Sequence, residues 1–200
     1  MGPVDLKEVM RYAGVPTGAE ASAETVALAR RAREMAADVP VFRVGYVDVP
    51  LTWKDGFPVL PFAQRSADLA KNLAGCDRAI VFAATIGTGF DRIIRRWGRA
   101  DAALAIMLQG LGAERVEALC DAFCADVKEA AAACGLESRP RFSPGYGDLP
   151  LEVQPDLLGL LDASRRLGIT LSDSLLMSPT KSVTAIVGLR PAERKCEVSE

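Results

Sequence analysis

The order of apolar and polar residues divides the chain into helices and short strands in mixed sequence. Residues 4–13 carry the spacing of a short helix that stops at Gly14, Pro16 and Gly18. Ser22 is placed to cap a stronger helix over residues 22–38, with Glu24 in its first turn and Pro40 barring continuation. Alternation in VFRVGYVDV (41–49) predicts a strand, and WKDGFPVL supplies an Asp-Gly turn and a return strand. Residues 41–60 therefore read as a β-hairpin. A helix from Ser66 through Leu73, closed by Gly75, precedes RAIVFAATIG (78–87). That unbroken apolar run marks a strand buried on both faces.

Gly87 and Gly89 lead into FDRIIRRWGR, an amphipathic helix. Asp101 opens a long helical segment to about Ala133, ended by Gly135, with Leu108, Val116, Leu119, Phe123 and Val127 at helical spacing. Gly110 and Gly112 inside it imply a bend or the close approach of another backbone. A further helix is expected from about Pro155 to Leu167, with proline in its first turn and Gly168 just past its end. ITLSDSLLMSP and KSVTAIVGL read as two strands joined at Pro179, and the last ten residues as a frayed tail. The expected fold is α+β: helices on a twisted, largely antiparallel sheet, forming a single domain over residues 1–200.

Composition narrows the chemistry. Half of the 200 residues are apolar and a quarter charged, which is enough for a sizeable core. A net charge of −2 argues against a dedicated nucleic-acid binder, although RIIRRWGR (92–99) is a local basic patch. The chain contains no histidine, which removes a Ser-His-Asp triad, a Cys-His pair and any imidazole-ligated metal, so no metal site is expected. Its five cysteines are odd in number and form no C-x-x-C, so neither a zinc site nor a disulfide framework is indicated. Cys120 and Cys124, four residues apart, read as small buried apolar residues. The charged opening MGPVDLKEVMRY is not a signal peptide and no apolar run approaches a membrane span, so a cytoplasmic protein without a membrane contact is expected.

Several short stretches resemble functional motifs. IGTGFD follows a buried strand as dinucleotide fingerprints do, but Arg92 stands at the third glycine position and no βαβ repeat follows, which leaves a turn. MSPTKS lacks the glycines of a phosphate loop. Taken singly, Glu117 is a solvated flank of its helix, Arg141 a surface charge and Tyr146 a packed ring. The alternatives are a carboxylate facing a cationic ligand, a guanidinium fork for a carboxylate, and a ring against a ligand.

Together these residues form a pattern. RFSPGYGDLP (141–150) has the form R-x-x-P-G-Y-x-x-x-P, which resembles the S-adenosylmethionine-binding loop of the activation domain of cobalamin-dependent methionine synthase. LSDSLLMSPTKSV (171–183) is similar to that domain's following segment, L-[ST]-[ED]-S-x-x-M-x-P-x-x-S-V, and one helix fills the interval between the two. AIMLQGLGAERVEALCDAF and VFAATIG also resemble that family, so the likeness is specific over about residues 78–190. The resemblance implies a freestanding reactivation module acting in trans, a component of a methyltransferase. In the family, S-adenosylmethionine and one electron from flavodoxin, ferredoxin or a similar donor return cob(II)alamin to methylcobalamin. Carried over by motif, Arg141 would hold the ligand carboxylate, Ser143 and Gly145 would give backbone contacts, and Tyr146 would pack on the ligand. Glu117 would be the acidic partner from the long helix. The family's aspartate in a tryptophan-bearing segment has its nearest counterpart in Asp48 of YVDVPLTW. No catalytic residue is implied, since the chemistry needs positioning rather than a general base. Cobalamin would come only on a partner, a methionine synthase subunit or another corrinoid protein. The rival reading is an accessory, chaperone-like subunit of a corrinoid methyltransferase that does not bind S-adenosylmethionine.

Overall fold

The computed structural model describes residues 2–192 except 17, 19, 63 and 64. The tail expected over the last ten residues lies, from residue 193 on, outside the described residues. In chain order, α1 (Leu6–Tyr12) and α2 (Ala23–Met35) are capped by Asp5 and Ser22, whose side chains accept from first-turn amides. Strand β1 (Arg43–Pro50) follows, then the short β2 (Thr52–Lys54) and β3 (Phe57–Val59), α3 (Ala67–Asn72), β4 (Arg78–Thr85) and α4 (Gly89–Trp97). The long α5 (Ala102–Ala133) leads to β5 (Leu136–Ser138); α6 (Gln154–Leu160), α7 (Ala163–Leu167), β6 (Thr170–Leu171), β7 (Met177–Ser178) and β8 (Ser182–Pro191) complete the chain.

The main sheet has the order β1-β4-β8-β5, and every pairing in it is antiparallel. The buried run 78–85 is central, as its composition requires. Ala79, Val81 and Ala83 face a layer that includes α3, α6 and α7, while Ile80, Phe82 and Ala84 face α5. A third cluster, with Val9, Ala29, Phe90 and Leu108, joins α1, α2 and α4 to the N-terminal half of α5.

Three expectations are corrected. The hairpin over 41–60 shrinks to β2–β3, closed by Asp55 and Gly56 at φ +52° and +81°; β1 pairs along its whole length with β4 instead. The return strand contains Pro58, which has no N–H to donate, whereas β4 offers eight consecutive partners. The helix over 155–167 is broken at Asp162 (φ +48°). Unbroken, it would put Arg165 on the face of Leu161; the break buries Ala163 and Leu167 and leaves Arg165 exposed. Finally, 169–179 is not one strand but the small β6–β7 hairpin, folded back through a turn at Leu175.

Gly110 of α5 faces α1, where any Cβ would collide with the Val9 carbonyl oxygen. The close approach expected of a glycine here is therefore the approach of the α1 backbone. The adjacent Glu114 and Arg115 form a buried ion pair, and Arg115 also donates to the carbonyls of Gly2 and Pro3 at 3.2 Å each. A charged pair this deep needs those extra bonds to offset its desolvation.

Candidate functional site

The segment 141–150 begins as an extension of the sheet. Phe142 makes an antiparallel bridge with Ile186, which continues the row begun by β5 along the edge of β8. Past this bridge the chain turns away. Tyr146 N–H donates to the Ser143 carbonyl at 3.1 Å, and Gly145 N–H to that of Leu149 at 2.8 Å. Gly145 sits at φ +87°, a conformation that side-chain-bearing residues avoid, with Leu151 3.3 Å from where a Cβ would stand.

Asp148 fixes the far end of the loop. Its carboxylate accepts from the Ser66 hydroxyl and from the Ala67 and Asp68 amides, at 2.7 and 3.2 Å for the amides. The loop thus caps α3, where the helix dipole favours a negative charge. The Ser66 hydrogen bond, with those of the two amides, holds the Asp148 carboxyl below its ordinary pKa against the opposing effect of desolvation.

Because the loop leaves the sheet, β8 keeps an open edge between Ser182 and Thr184, along which no strand pairs among the described residues. A cavity of about 310 Å3 lies there. Glu117, Arg141, Ser143 and Tyr146 line it, together with Phe142, Pro144, Gln154, Met177, Ser182, Val183 and Thr184. Four of the five residues singled out in the sequence are thereby brought together. The fifth, Gly145, shapes the loop behind them. Tyr146 is 68% exposed, so its ring is available at the mouth rather than packed in the core.

Arg141 is the charged centre of the wall. One terminal nitrogen, Nη2, donates to Glu117 Oε2 at 2.5 Å and lies 3.3 Å from Asp121 Oδ1. The other, Nη1, is buried and has no hydrogen-bond partner. Burial alone would lower the Arg141 pKa, but the charges of Glu117 and Asp121 raise it above its ordinary value, so the cation is firmly held. Beneath it, burial pushes the Cys120 thiol up to about 12, an inert packed group as its position on α5 suggested.

Sequence reasoning missed the inner wall. Gln154, at the start of α6, is buried and accepts from Thr184 Oγ1 at 2.9 Å. That bond fixes the amide at the back of the cavity, which Gln154 helps to line. The available signal was the i,i+2 pair Ser182 and Thr184, two hydroxyls on the face of an otherwise apolar strand. Asp48, by contrast, lies elsewhere. It forms an ion pair with Arg78 at the rim of a separate groove of about 440 Å3 between β1 and the C-terminal half of α5.

These features define a class: an α+β unit whose open sheet edge, half-buried arginine and exposed tyrosine at the mouth suit a small ligand bearing an anionic group. Residues 66–200 match the family model described as vitamin B12 dependent methionine synthase, activation domain, and the chain belongs to that family. Thirteen chains of known structure match significantly. One is the crystal structure of the MetH reactivation domain bound to AdoHcy, with a TM-score of 0.68 and 16% identity over 93% of this chain and 75% of that one. At such identity the likeness is one of fold. No curated protein sequence matches significantly. No helix among the described residues is long and apolar enough to cross a membrane.

Proposed function

We propose that the chain is a cytoplasmic S-adenosylmethionine-binding reactivation module, with residues 1–200 as one domain, that acts in trans on a cobalamin-dependent methionine synthase. The observation that carries this reading is the orphaned Nη1 of Arg141 in the wall of the cavity. A buried guanidinium nitrogen without a partner is costly unless a ligand completes it, and the carboxylate of the methionine moiety is the matching group. Glu117 and Asp121 hold the guanidinium in place, and Glu117 keeps one oxygen for the ligand's ammonium or sulfonium. Ser143 and the open edge of β8 offer backbone groups, Gly145 sets the bend, and Tyr146 covers the mouth.

The reaction served would be reductive methylation of cob(II)alamin on the partner. One electron from flavodoxin or ferredoxin and the methyl group of S-adenosylmethionine would together convert the partner's cob(II)alamin to methylcobalamin, with a Co–C bond replacing the broken S–CH3 bond and S-adenosylhomocysteine released. The chain's own part is to bind the methyl donor, orient it and exclude water, a contribution of positioning that requires no proton transfer. The test is calorimetric titration of the isolated chain with S-adenosylmethionine and S-adenosylhomocysteine. Visible spectroscopy with a cobalamin-loaded methionine synthase subunit and a reductant then reads methylcobalamin formation. Stabilisation of the partner without ligand binding or methylation would establish the accessory-subunit reading instead.

A further inference from the structure

The two edges of the main sheet differ. One is blunted: β5 is three residues long, and after the Phe142 bridge the chain turns away from β8. The other is β1, eight residues long, and no strand pairs with its outer side among the described residues. An unpaired strand of that length is a template for another strand unless charged side chains guard it. No lysine lies in β1, and its two charged residues are turned to their own chain. Arg43 donates to the Leu167 carbonyl, and Asp48 pairs with Arg78 of the neighbouring β4.

Hydrogen bonding divides the β1 main chain by parity. Leu51 N–H donates to the Asp77 carbonyl, a pair that continues the β1–β4 register. In an antiparallel ladder alternate residues bond across the pair, and those between them point away from it. The odd-numbered residues of β1 therefore bond to β4, while Val44, Tyr46 and Asp48 direct their N–H and C=O groups outward. Pro50 agrees with this assignment: it belongs to the outward set, where its missing N–H costs the sheet nothing. The side chains of Val44, Tyr46 and Asp48 stand on the α5 face, beside Ala84, Phe82 and Ile80. There the Phe123 ring lies 4.8 Å from Phe82 and 5.5 Å from Tyr46, centroid to centroid. This row of rings runs outward and ends at Tyr46, which is 53% exposed.

We infer that β1 is the interface of a homodimer, in which the β1 strands of two copies pair antiparallel about a twofold axis at Tyr46. Self-complementarity selects a second copy as the occupant. An axis perpendicular to the sheet keeps each face on its own side, so opposed residues must share parity. With Tyr46 opposite its own copy, Val44 meets Asp48 of the second chain, and every outward N–H and C=O of these three residues finds a partner. A slip of two residues one way sets Val44 against Pro50, which has no N–H to give. The opposite slip carries Asp48 past the start of the strand. In the favoured register Phe42, exposed just before β1, falls opposite Pro50, and the two tyrosines extend the aromatic row across the axis. The cavity lined by Arg141 lies beyond β4, at the open edge of β8, away from this interface. Strand β1 precedes the matched residues 66–200, so the interface is built by a portion of the chain outside the family model.

Sedimentation velocity on the full chain at up to about 100 μM should give the mass of two chains, falling toward one on dilution. Tyr46→Lys sets two ammonium groups against each other at the axis and should weaken the dimer about tenfold or more, with circular dichroism unchanged. Tyr46→Cys should cross-link two chains on mild oxidation, because opposed residues of a bonded pair stand about 5.5 Å apart, within disulfide reach. Mass spectrometry maps the link to residue 46, with the unsubstituted chain as the control for exposed Cys134. Amide hydrogen exchange by nuclear magnetic resonance needs no variant. The Val44, Tyr46 and Asp48 amides should be protected in the dimer and exchange fast on dilution, while Gly45 and Val47 stay protected throughout. A single-chain mass at the highest concentration would overturn the inference, as would an equally strong dimer in folded Tyr46→Lys. So would a dimer whose Val44, Tyr46 and Asp48 amides exchange freely, or their protection in a single chain, which would mean that the chain covers its own edge.

Discussion

Arg141 Nη2 lies 2.5 Å from Glu117 Oε2, so a residue of the 141–150 loop and a residue of the long helix α5 form one ion pair across the mouth of the cavity. The two are far apart in sequence, and the pair ties the loop to the helix as well as orienting the guanidinium. Its position makes Arg141 a structural strut that still has one buried terminal nitrogen, Nη1, without a hydrogen-bond partner among the described residues.

Arg141→Ala should weaken S-adenosylmethionine binding by ~2 to 4 kcal/mol, the cost of truncating a charged pair in a partly desolvated site. Arg141→Lys should recover only part of the loss, because an ammonium cannot reproduce the fork that reaches Glu117 and the ligand together. Isothermal titration calorimetry on both variants measures this; unchanged affinity in the alanine variant would remove Arg141 from the site.

Gly145→Val is expected to abolish ligand binding while the sheet and helices persist. Valine is strained at φ +87° and its branches would press on Leu151, 3.3 Å from the Cβ position, so the loop must rearrange. Far-ultraviolet circular dichroism should match wild type while the calorimetric signal disappears. Wild-type affinity would show that the loop is only a turn.

Asp148 predicts a pH dependence. Its carboxyl is held below its ordinary pKa by Ser66 and the α3 amides, so the charged form is favoured in the folded state. Its stabilising contribution is present above the ordinary carboxylate range, near pH 4, and is lost as pH falls through the native value. Asp148→Asn should therefore lower the melting temperature at neutral pH, with the gap to wild type closing on acidification. Thermal scans from neutral pH downward test it, and a gap that does not change with pH would exclude the carboxylate as the anchor.

Gly110→Val should destabilise the whole molecule by about 1 to 3 kcal/mol, since the new side chain meets the Val9 carbonyl and the Ala13 backbone and α1 must move away. Denaturant unfolding reads the change. A variant as stable as wild type would mean that α1 is only loosely docked on α5.

The sequence alone determined the elements whose signals are local. Alternation, the capping residues Asp101 and Ser66, and the apolar run 78–85 specify their helices and strand through neighbours a few residues away. The motif R-x-x-P-G-Y-x-x-x-P drew attention to Arg141, Ser143, Gly145 and Tyr146 only through its resemblance to a family loop, and the loop's anchors at Ile186 and at Ser66–Asp68 lie far away in sequence. Tertiary structure decided what depends on competition between distant segments. It paired β1 with β4 instead of with the Pro58 strand, broke the helix at Asp162 so that Leu167 could be buried, and set β5 against β8. It also brought Glu117 to Arg141 and Thr184 to Gln154, contacts between elements whose pairing no local pattern encodes. Gln154 shows the limit most plainly. As a residue in the first turn of a helix it reads as solvated, and only the fold places it against a buried strand hydroxyl at the back of the cavity.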